Sequence, residues 1–422
     1  MGAIRTLDDV FLDGKTVLLR IDGNSPLHPI NNSFLDDSRL RGVIPTINKL
    51  NKTKLIILLH QSRPGKKDFT STSGHAREFQ RLLGRTVKFV EDICDQKAMS
   101  AIEDLKVGDI LMLNNVRMNQ EELEIKTNNF EEQTETHFVQ QLSSIADVFV
   151  NDAFACAHRN SPSITGFTYT LPCIAGTLMM NELNSLKSAM DSPKEPCIAI
   201  LGGIKVDDSV KVAKNMLKGK IANKVLVTGG VANLFLDLSG VDIGTVNREF
   251  LKKELGNKWD SVREDIRNML IHYPDKFLLP VDVALNINGK RVDVEIEKLP
   301  SEYQIFDLGL QSIVKISSEI KNAGTIILNG PAGVFELDEF KFGTMEIINS
   351  CAESNAFVVV GGGHTATLIN NLGLGRKIDH VSTGGGACLE FLAGEKLPGI
   401  NSLETSAKRF GLTIKKLQRE LQ

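Results

Sequence analysis

The chain has 422 residues, of which 42% are hydrophobic and 24% charged, and its formal net charge is −3. This length predicts two or three domains with large cores, and the balanced charge disfavours nucleic-acid binding, which usually requires a strongly basic surface. No apolar run approaches the roughly 18 residues that span a membrane, and the start MGAIRTLDD does not resemble a signal peptide. We therefore expect a cytoplasmic protein whose partner is a small molecule.

Short apolar, β-branched runs alternate with amphipathic segments along the chain. This alternation is typical of parallel sheets covered on both faces by helices, and it predicts an α/β fold. Nine runs are predicted as strands, namely 16–22, 54–60, 109–117, 147–154, 197–203, 224–230, 276–282, 325–330 and 356–363. The six cysteines are scattered without a CxxC pair, and we expect reduced, mostly buried thiols.

A helical segment near the middle of the chain divides it into two predicted domains. Residues 176–192 show apolar side chains at helical spacing and are followed by the turn-forming SPKEP. We interpret this segment as a connector helix. The first domain then comprises 1–178 together with a C-terminal helix at about 403–422, and the second comprises 179–402.

In the first half, the ends of the predicted strands carry cations. Ligands of open parallel sheets bind outside the carboxyl ends of the strands, and Arg39 and Arg41 begin a predicted helix nearby. A guanidinium donates two parallel hydrogen bonds to a carboxylate or phosphate. The first half is therefore predicted to bind a small, multiply anionic molecule. The cations at strand ends are Arg20, His60, Arg63, Arg117, His158 and Arg159.

In the second half, the same positions are occupied by glycines. One such turn can simply be tight, but five on one domain favour a nucleotide phosphate site, because glycine lets backbone N–H groups approach phosphate oxygens at helix starts. Lys205 follows the first of these turns. The turns contain Gly202-Gly203, Gly229-Gly230, Gly330, Gly361-Gly362-Gly363 and Gly384-Gly385-Gly386.

An anion site and a nucleotide site together indicate phosphoryl transfer, which depends on positioning and on neutralising the charge of the migrating group. Arg39 and Lys205 are the candidate catalytic cations. A carboxylate or ADP acceptor is already ionised at neutral pH and needs no catalytic base, so the absence of an obvious catalytic Asp or Glu among the first-half residues suits an acyl-phosphate reaction. We interpret Cys156 as a packed residue and not as a nucleophile.

These residues lie in nine blocks that resemble, in order, the signature blocks of the phosphoglycerate kinase family. The blocks run from about residue 17 to 399, and the spellings GGGHT and HQSRP are similar to the archaeal branch. They are VLLRIDGNSPL, DDSRLRGVIPTI, HQSRPG, NNVR, FVNDAFACAHR, GGIKVDD, NGPAGVFE, GGGHTATLI and HVSTGGGACLEFLAGEKLPG.

The resemblance implies an enzyme of glycolysis and gluconeogenesis that transfers a phosphoryl group between 1,3-bisphosphoglycerate and ADP, giving 3-phosphoglycerate and ATP. It further implies a carboxyl acceptor, Mg²⁺ bound with the nucleotide, two doubly wound Rossmann-like lobes with a hinge-closing cleft, and a monomer or homodimer. The implied ligands of 3-phosphoglycerate are Asp22, Asn24, Arg39, His60, Arg63, Arg117 and Arg159.

For the nucleotide, the resemblance implies a second set of residues. Glu336 would contact the ribose, and Gly384, Gly385 and Gly386 would lie near the transferring phosphoryl. The remaining nucleotide ligands would be Gly202, Gly203, Lys205, Asn329, Pro331, Gly361, Gly362, Gly363, His364 and Thr365.

Four positions depart from the family's more familiar pattern. Gly23 replaces an aromatic residue, Ser209 replaces a second lysine, and Asn181 stands where the connector helix often has lysine. His364 replaces an aspartate that is placed to receive the metal, so we expect no direct metal ligand from the protein, with Asp208 a possible anchor.

Three alternatives remain at the level of sequence. A dinucleotide enzyme is suggested by GGGHTA, which fits G-x-G-x-x-A after a strand and is followed by Asp379. A bilobed binder of an anionic solute is normally exported, and no export signal is found. An inactive relative would be expected to lack Arg39 or Lys205, and both are present.

Overall fold

The computed structural model describes the backbone of residues 2–419 and the side chains of residues 2–411. The chain divides into two compact units, the first made of Met1–Leu183 with Lys396–Gln422 and the second of Asn184–Glu395. The boundaries predicted from the sequence, 178 and 402, lie several residues from these divisions.

The first unit contains a six-stranded parallel sheet in the order β3-β4-β2-β1-β5-β6. Its central strand β1 is buried along almost its whole length because helices cover both faces, as continuous apolar runs predict. The strands are β1 Thr16–Ile21, β2 Lys54–Leu58, β3 Lys88–Phe89, β4 Ile110–Met112, β5 Val148–Asp152 and β6 Cys173–Ala175.

Nine helices accompany or follow these strands. They are α1 Ser38–Gly42, α2 Ile44–Lys49, α3 Ser73–Leu83, α4 Gln96–Glu103, α5 Gln120–Glu124, α6 Phe130–Thr134, α7 His137–Ile145, α8 Pro162–Thr165 and α9 Thr177–Asp191. The last of them agrees with the connector helix predicted over 176–192.

The second unit has its own six-stranded parallel sheet in the order β15-β14-β13-β7-β8-β9, and a separate antiparallel sheet in the order β11-β10-β12. The strands are β7 Cys197–Leu201, β8 Lys224–Val227, β9 Phe277–Leu278, β10 Asp282–Ile287, β11 Lys290–Glu295, β12 Ile305–Leu308, β13 Thr325–Asn329, β14 Phe357–Gly361 and β15 His380–Val381. The two parallel α/β sheets confirm the predicted fold class.

The helices of the second unit are α10 Val206–Lys218, α11 Gly229–Leu238, α12 Thr245–Leu255, α13 Trp259–His272, α14 Leu310–Lys321, α15 Phe342–Glu353, α16 Gly363–Asn371 and α17 Gly386–Leu392. The chain then returns to the first unit as α18, Pro398–Arg419, where Ser406 Oγ accepts a hydrogen bond from Cys173 N at 2.9 Å. This helix begins before the predicted 403, and 420–422 lie outside the described residues.

Two strand predictions were wrong in their extent. The run 109–117 contains only the three-residue β4. The run 276–282 contains only the two-residue β9, after which Pro280 cannot donate a ladder hydrogen bond and Asp282 begins β10 of the other sheet. The antiparallel sheet itself was not predicted, since β11 is mostly exposed and lacks an apolar run.

No helix among the described residues is long and apolar enough to cross a membrane. All six cysteines are buried, and none forms a disulfide bond.

Candidate active site

The cations of the first half follow strands that are neighbours in the sheet. Strands β4, β2, β1 and β5 are adjacent and parallel, so their carboxyl ends share one edge. Asp22 follows β1, His60 follows β2 and Arg117 follows β4, while Arg159 lies beyond the end of β5. The predicted ligands of the anion are therefore brought to one edge, as the spacing of the strands indicated.

Arg39, on α1, forms an ion pair with the carboxylate of Asp22 through its Nη1. The Asp22 side chain is only 6% exposed, whereas the guanidinium side chain is 33% exposed. Burial lowers the pKa of Arg39 from its usual value, but an arginine side chain is not deprotonated in proteins and stays charged. The ion pair holds Arg39 over the edge of the sheet with part of its surface open to a ligand.

His60 is almost completely buried in this edge. Its Nδ1 lies 3.3 Å from Arg20 Nη2, and because an arginine can only donate, Nδ1 must accept and the proton must sit on Nε2. Burial, followed by the positive charges of Arg20 and Arg117, moves the pKa of His60 well below its ordinary value. The ring is therefore neutral at pH 7, and its buried Nε2 has no hydrogen-bond partner among the side chains that the structure describes.

Arg20 is held by a relay of buried side chains that the sequence did not reveal. Its Nε donates to Ser163 Oγ at 3.0 Å, and Nη1 donates to the carbonyl of Ile21. Ser163 in turn donates from Oγ and N to the carboxylate of Glu122, at 2.7 and 2.8 Å. These residues are far apart in the chain and belong to no common motif, so only the fold shows that Glu122 positions Arg20 and, through it, His60.

The other predicted ligands differ in how tightly they are held. Arg117 donates from Nη1 to the carbonyl of Ser62, and Asn24 Oδ1 accepts from Ser62 N at 2.8 Å, so both shape the loop after β2. Arg63 is exposed on that loop. Arg159 is half-buried, and its Nε lies 3.4 Å from His158 Nε2. Arg63 and Arg159 are thus the least constrained cations of the site.

Cys156 also reaches this edge, with Sγ 3.8 Å from His60 Nδ1. The residue is 1% exposed, and burial raises the pKa of its thiol. A buried, protonated thiol is a poor nucleophile, which agrees with the interpretation of Cys156 as a packed residue.

The glycines of the second half also lie at one edge, because β15, β14, β13, β7 and β8 are adjacent and parallel. The backbone N of Gly202 donates to Asn329 O, and that of Gly203 donates to Pro331 O, both at 2.8 Å. A Cβ on Gly202 would come within 2.5 Å of Pro331 O. The loops after β7 and β13 are therefore packed backbone against backbone, which only glycine allows.

Three buried polar atoms at this edge have no hydrogen-bond partner among the described residues: Asn329 Oδ1, Thr228 Oγ1 and Thr365 Oγ1. Thr228 and Thr365 also line a narrow crevice beneath the loops. Buried polar groups are nearly always hydrogen-bonded in native proteins, so these atoms indicate that the edge is completed by water or a ligand. Thr228, which precedes the Gly229-Gly230 turn, was not predicted.

The charged residues of this edge lie around the first turns of α10 and α16. Lys205 and His364 are both exposed. Asp208 is half-buried, and burial raises the pKa of its carboxyl, followed by the effect of neighbouring Asp207. Ser209 is 1% exposed and its Oγ lies 3.5 Å from the carbonyl of Gly202, so the residue replacing the second lysine packs into the turn.

The remaining predicted nucleotide contacts occupy the loops after β13 and β15. Pro331 is half-buried and Glu336 is exposed. Of the glycine triplet, Gly384 is buried, Gly385 has a positive φ of 50°, and Gly386 begins α17 and is exposed. The structure brings Pro331 and the triplet to the same sheet edge as Gly202 and leaves Glu336 on the surface of its loop.

Asp379, the acid required by the dinucleotide alternative, lies at the wrong end of the sheet. Its Oδ2 accepts a hydrogen bond from Val358 N at 2.8 Å, near the amino end of β14. A ribose bound by the Gly361 to Ala366 turn would lie at the carboxyl end. The geometry therefore disagrees with a dinucleotide site built from this motif.

Among the described residues, two groups of side chains could supply three metal ligands, and both are in the first unit. One is Asp22, His60 and Cys156, and the other is Cys94, Asp95 and His137. Neither lies at the glycine-rich edge. There, the carboxylate of Asp208 is the half-buried oxygen donor next to Lys205.

Comparison with known proteins gives concordant results. The model of the family described as phosphoglycerate kinase matches residues 7–395. The chain is 46% identical over 407 residues to the phosphoglycerate kinase of Methanocorpusculum labreanum, covering 96% of this chain and 99% of the relative. It is 44% identical over 412 residues to that of Archaeoglobus fulgidus, covering 97% and 99%. Both relatives are archaeal, as the spelling of the motifs suggested.

Two solved structures share the fold. The crystal structure of phosphoglycerate kinase from Pyrococcus horikoshii OT3 has a TM-score of 0.88 at 39% identity, covering 96% of this chain and all of that one. The structure of phosphoglycerate kinase from Coxiella burnetii has a TM-score of 0.76 at 31% identity, covering 95% and 99%.

Proposed function

The chain belongs to the phosphoglycerate kinase family, and we propose that its basic site binds 3-phosphoglycerate and its glycine-rich site binds the nucleotide. The reaction is reversible phosphoryl transfer between 1,3-bisphosphoglycerate and ADP, giving 3-phosphoglycerate and ATP. This is a step of glycolysis and gluconeogenesis.

The observation that carries the assignment of the anion site is its excess of positive charge. Among the described side chains, neither Arg20 nor Arg117 has a carboxylate within 4.0 Å, although Arg20 is only 2% exposed. A buried unpaired charge is costly, and a bound carboxylate and phosphate would offset that cost. The neutral His60 adds a donor at Nε2, which suits a carboxylate oxygen.

Each predicted ligand then receives a role. Arg39, His60, Arg63, Arg117 and Arg159 hold the carboxylate and phosphate of 3-phosphoglycerate. Asp22 orients Arg39 through their ion pair, and Asn24 shapes the loop after β2 through Ser62.

The nucleotide ligands act mainly through their backbone. The segment 361–365 presents N–H groups to the phosphates at the start of α16. Gly202 and Gly203, whose own N–H groups donate to Asn329 O and Pro331 O, have no side chains and so let the phosphates approach the start of α10. Asn329 and Pro331 line the nucleoside side, and the exposed Glu336 reaches the ribose. Gly384 to Gly386 lie near the transferring group.

Chemistry at such a site consists of positioning and charge stabilisation, since both possible acceptors are ionised at neutral pH. We assign the stabilisation of the migrating phosphoryl to Arg39 and Lys205. Both are charged, and both keep exposed surface for the ligand. Donors fixed before the reaction stabilise developing charge without further reorganisation.

The nucleotide is expected to carry Mg²⁺. This ion prefers oxygen ligands and retains several waters. The donors at the glycine-rich edge fit it only partly, since Asp208 offers one carboxylate and His364 offers an imidazole. Phosphate oxygens and water would hold the ion, Asp208 would anchor one of those waters, and the ion would reduce the negative charge of the phosphates.

We also propose that the enzyme acts in the cytoplasm as a monomer or homodimer. Its six buried cysteines, none of which forms a disulfide bond, suit a reducing compartment. Sedimentation velocity of the purified chain measures the oligomeric state directly.

A coupled assay with 3-phosphoglycerate and Mg-ATP tests the assignment of activity, and binding separates the two sites. Isothermal titration should show that Arg117→Ala weakens 3-phosphoglycerate binding but not ADP binding. Weakened ADP binding with normal 3-phosphoglycerate binding would reverse the assignment of the sites. The exposed Arg267→Ala, on α13 of the second unit, is the matched control and should affect neither.

A further inference from the structure

Three ligand-type side chains that have no role in the proposed reaction meet in the first unit. Cys94 and Asp95 end the loop before α4, and His137 is the first residue of α7. One ligand atom from each lies within 4.8 Å of the other two. A thiol, an imidazole and a carboxylate form a mixed donor set, which is typical of transition-metal sites and differs from a simple cluster of acids.

The distances suit a tetrahedral ion after a small movement of the sulfur. His137 Nε2 lies 3.2 Å from Asp95 Oδ1. Zinc bonds of 2.0–2.1 Å at the tetrahedral angle place nitrogen and oxygen ligands about 3.3 Å apart, and a sulfur about 3.6 Å from either. The imidazole and carboxylate are thus already at a suitable separation.

Local electrostatics also favour a cation, although two helices begin here. The positive end of α7 is neutralised by Glu121, whose carboxylate accepts from His137 N and Phe138 N at 2.9 Å each. Asp92 does the same for α4 by accepting from Ala98 N at 2.8 Å. Together with Asp95, these carboxylates leave the site negatively charged.

The sulfur is placed to become a metal-bound thiolate. Cys94 is 3% exposed, and Asn119 Nδ2 donates to its Sγ at 3.6 Å, a contact that orients the sulfur from outside. Binding of a metal ion releases the thiol proton to solvent.

We propose that Cys94, Asp95 and His137 bind one divalent transition-metal ion of the zinc type, with water as the fourth ligand. The side chains of Asp95 and His137 are 76% and 57% exposed, so an ion can enter from solvent. The site is separate from the proposed Mg²⁺ chemistry and does not depend on it.

Titration of the nucleotide-free full chain with Co²⁺ tests this proposal, because a cysteine-bound Co²⁺ gives a sulfur-to-metal charge-transfer band in the near ultraviolet. We expect one equivalent to bind and Zn²⁺ to displace it. Cys94→Ser should abolish the band, and His137→Gln should weaken Co²⁺ binding by more than about tenfold. Asn119→Ala removes the outer hydrogen bond together with the one that Asn119 Oδ1 accepts from Glu121 N, and it should weaken Co²⁺ binding about tenfold.

Cys351→Ser is the matched control, since it removes another buried cysteine on α15 of the second unit. It should leave the band intact. The proposal is overturned if wild type shows no band, or if the band survives Cys94→Ser or is lost equally in Cys351→Ser. His137→Gln changes an exposed side chain, so it remains informative if Cys94→Ser does not fold. Normal Co²⁺ affinity in His137→Gln would also overturn the proposal.

Discussion

The two candidate sites present donors to anions in different ways. In the first unit the donors are side chains, and Arg20 and His60 are fixed by buried partners such as Ser163. In the second unit the donors are backbone N–H groups on loops such as that of Gly202, which packs directly against the loop after β13. The site of the first unit, the side-chain site, therefore depends on remote supporting residues. The site of the second unit, the backbone site, depends on the absence of side chains.

The largest effect is expected where each site contributes a cation to the reaction. Arg39→Ala and Lys205→Ala should each lower kcat by about 10²–10³, with a smaller change in KM, because the lost stabilisation applies mainly to the transition state. Steady-state kinetics in both substrates would measure this.

Arg63→Ala is the matched control on the side-chain site, since Arg63 is an exposed cation assigned only to binding. It should raise KM for 3-phosphoglycerate and leave kcat nearly unchanged. If Lys205→Ala kept a normal kcat, the backbone site would be sufficient without its cation, and the assigned role of Lys205 would be wrong.

The backbone site should be sensitive to one added methyl group. A Cβ on Gly202 would lie 2.5 Å from Pro331 O, whereas one on Gly363 would have no atom within 4 Å. Gly202→Ala should therefore lower the free energy of unfolding by about 1–3 kcal/mol without any ligand. Gly363→Ala should not lower it.

Thermal unfolding of the ligand-free variants would show the difference as a lower midpoint for Gly202→Ala alone. Equal midpoints would mean that the loops after β7 and β13 separate easily. In that case the second site would not be held by close backbone packing.

A buried histidine next to the side-chain site, His75, should make the stability of the protein sensitive to acid. His75 is 1% exposed, its Nε2 lies 3.0 Å from Gly23 O, and burial lowers its pKa to about 4. The unfolded chain has the ordinary pKa of about 6.5 and so binds more protons between pH 6.5 and 4. Stability is therefore lost as the pH falls through this window, by about 2 kcal/mol between pH 7 and 5.

Urea unfolding at pH 7 and pH 5 would measure this loss of stability. In His75→Gln the loss should be smaller by about 2 kcal/mol. The matched control is His272→Gln, an exposed histidine of the second unit. If both substitutions had the same effect on the pH dependence, His75 would not be the source of the sensitivity.

The contrast between the sites also explains what the sequence could predict. Strands and glycine turns are local, so β1, β7, β14 and the segment 361–363 follow from patterns of a few residues. The connector helix α9 followed from its apolar spacing in the same way.

Long-range support could not be predicted. The bond from Arg20 to Ser163 spans 143 residues, and that from Ser163 to Glu122 spans 41. Serine and glutamate at such separations carry no pattern. Likewise, Asp379 fitted a motif by spacing, but its hydrogen bond to Val358 N places it at the other end of the sheet. Spacing alone does not fix which end of a strand a residue occupies.

The smallest effect is expected at His364, which replaces a family aspartate at the start of α16. Its exposed imidazole lies edge-on to Phe335, with ring centroids 6.1 Å apart. An imidazole is a poor ligand for Mg²⁺, which prefers oxygen, so His364→Ala should leave the Mg²⁺ midpoint nearly unchanged. If His364 instead donates a hydrogen bond to a phosphate, the variant should raise KM for the nucleotide by several-fold. If it only caps the turn, KM should also be unchanged.

The measurement is a Mg²⁺ titration of activity at saturating nucleotide, with Asp208→Asn as the comparison, because that variant alters the carboxylate placed to anchor the hydrated ion. A shift of about tenfold or more in the Mg²⁺ midpoint of His364→Ala would show that the imidazole binds the metal. The backbone site would then rely on a side chain after all.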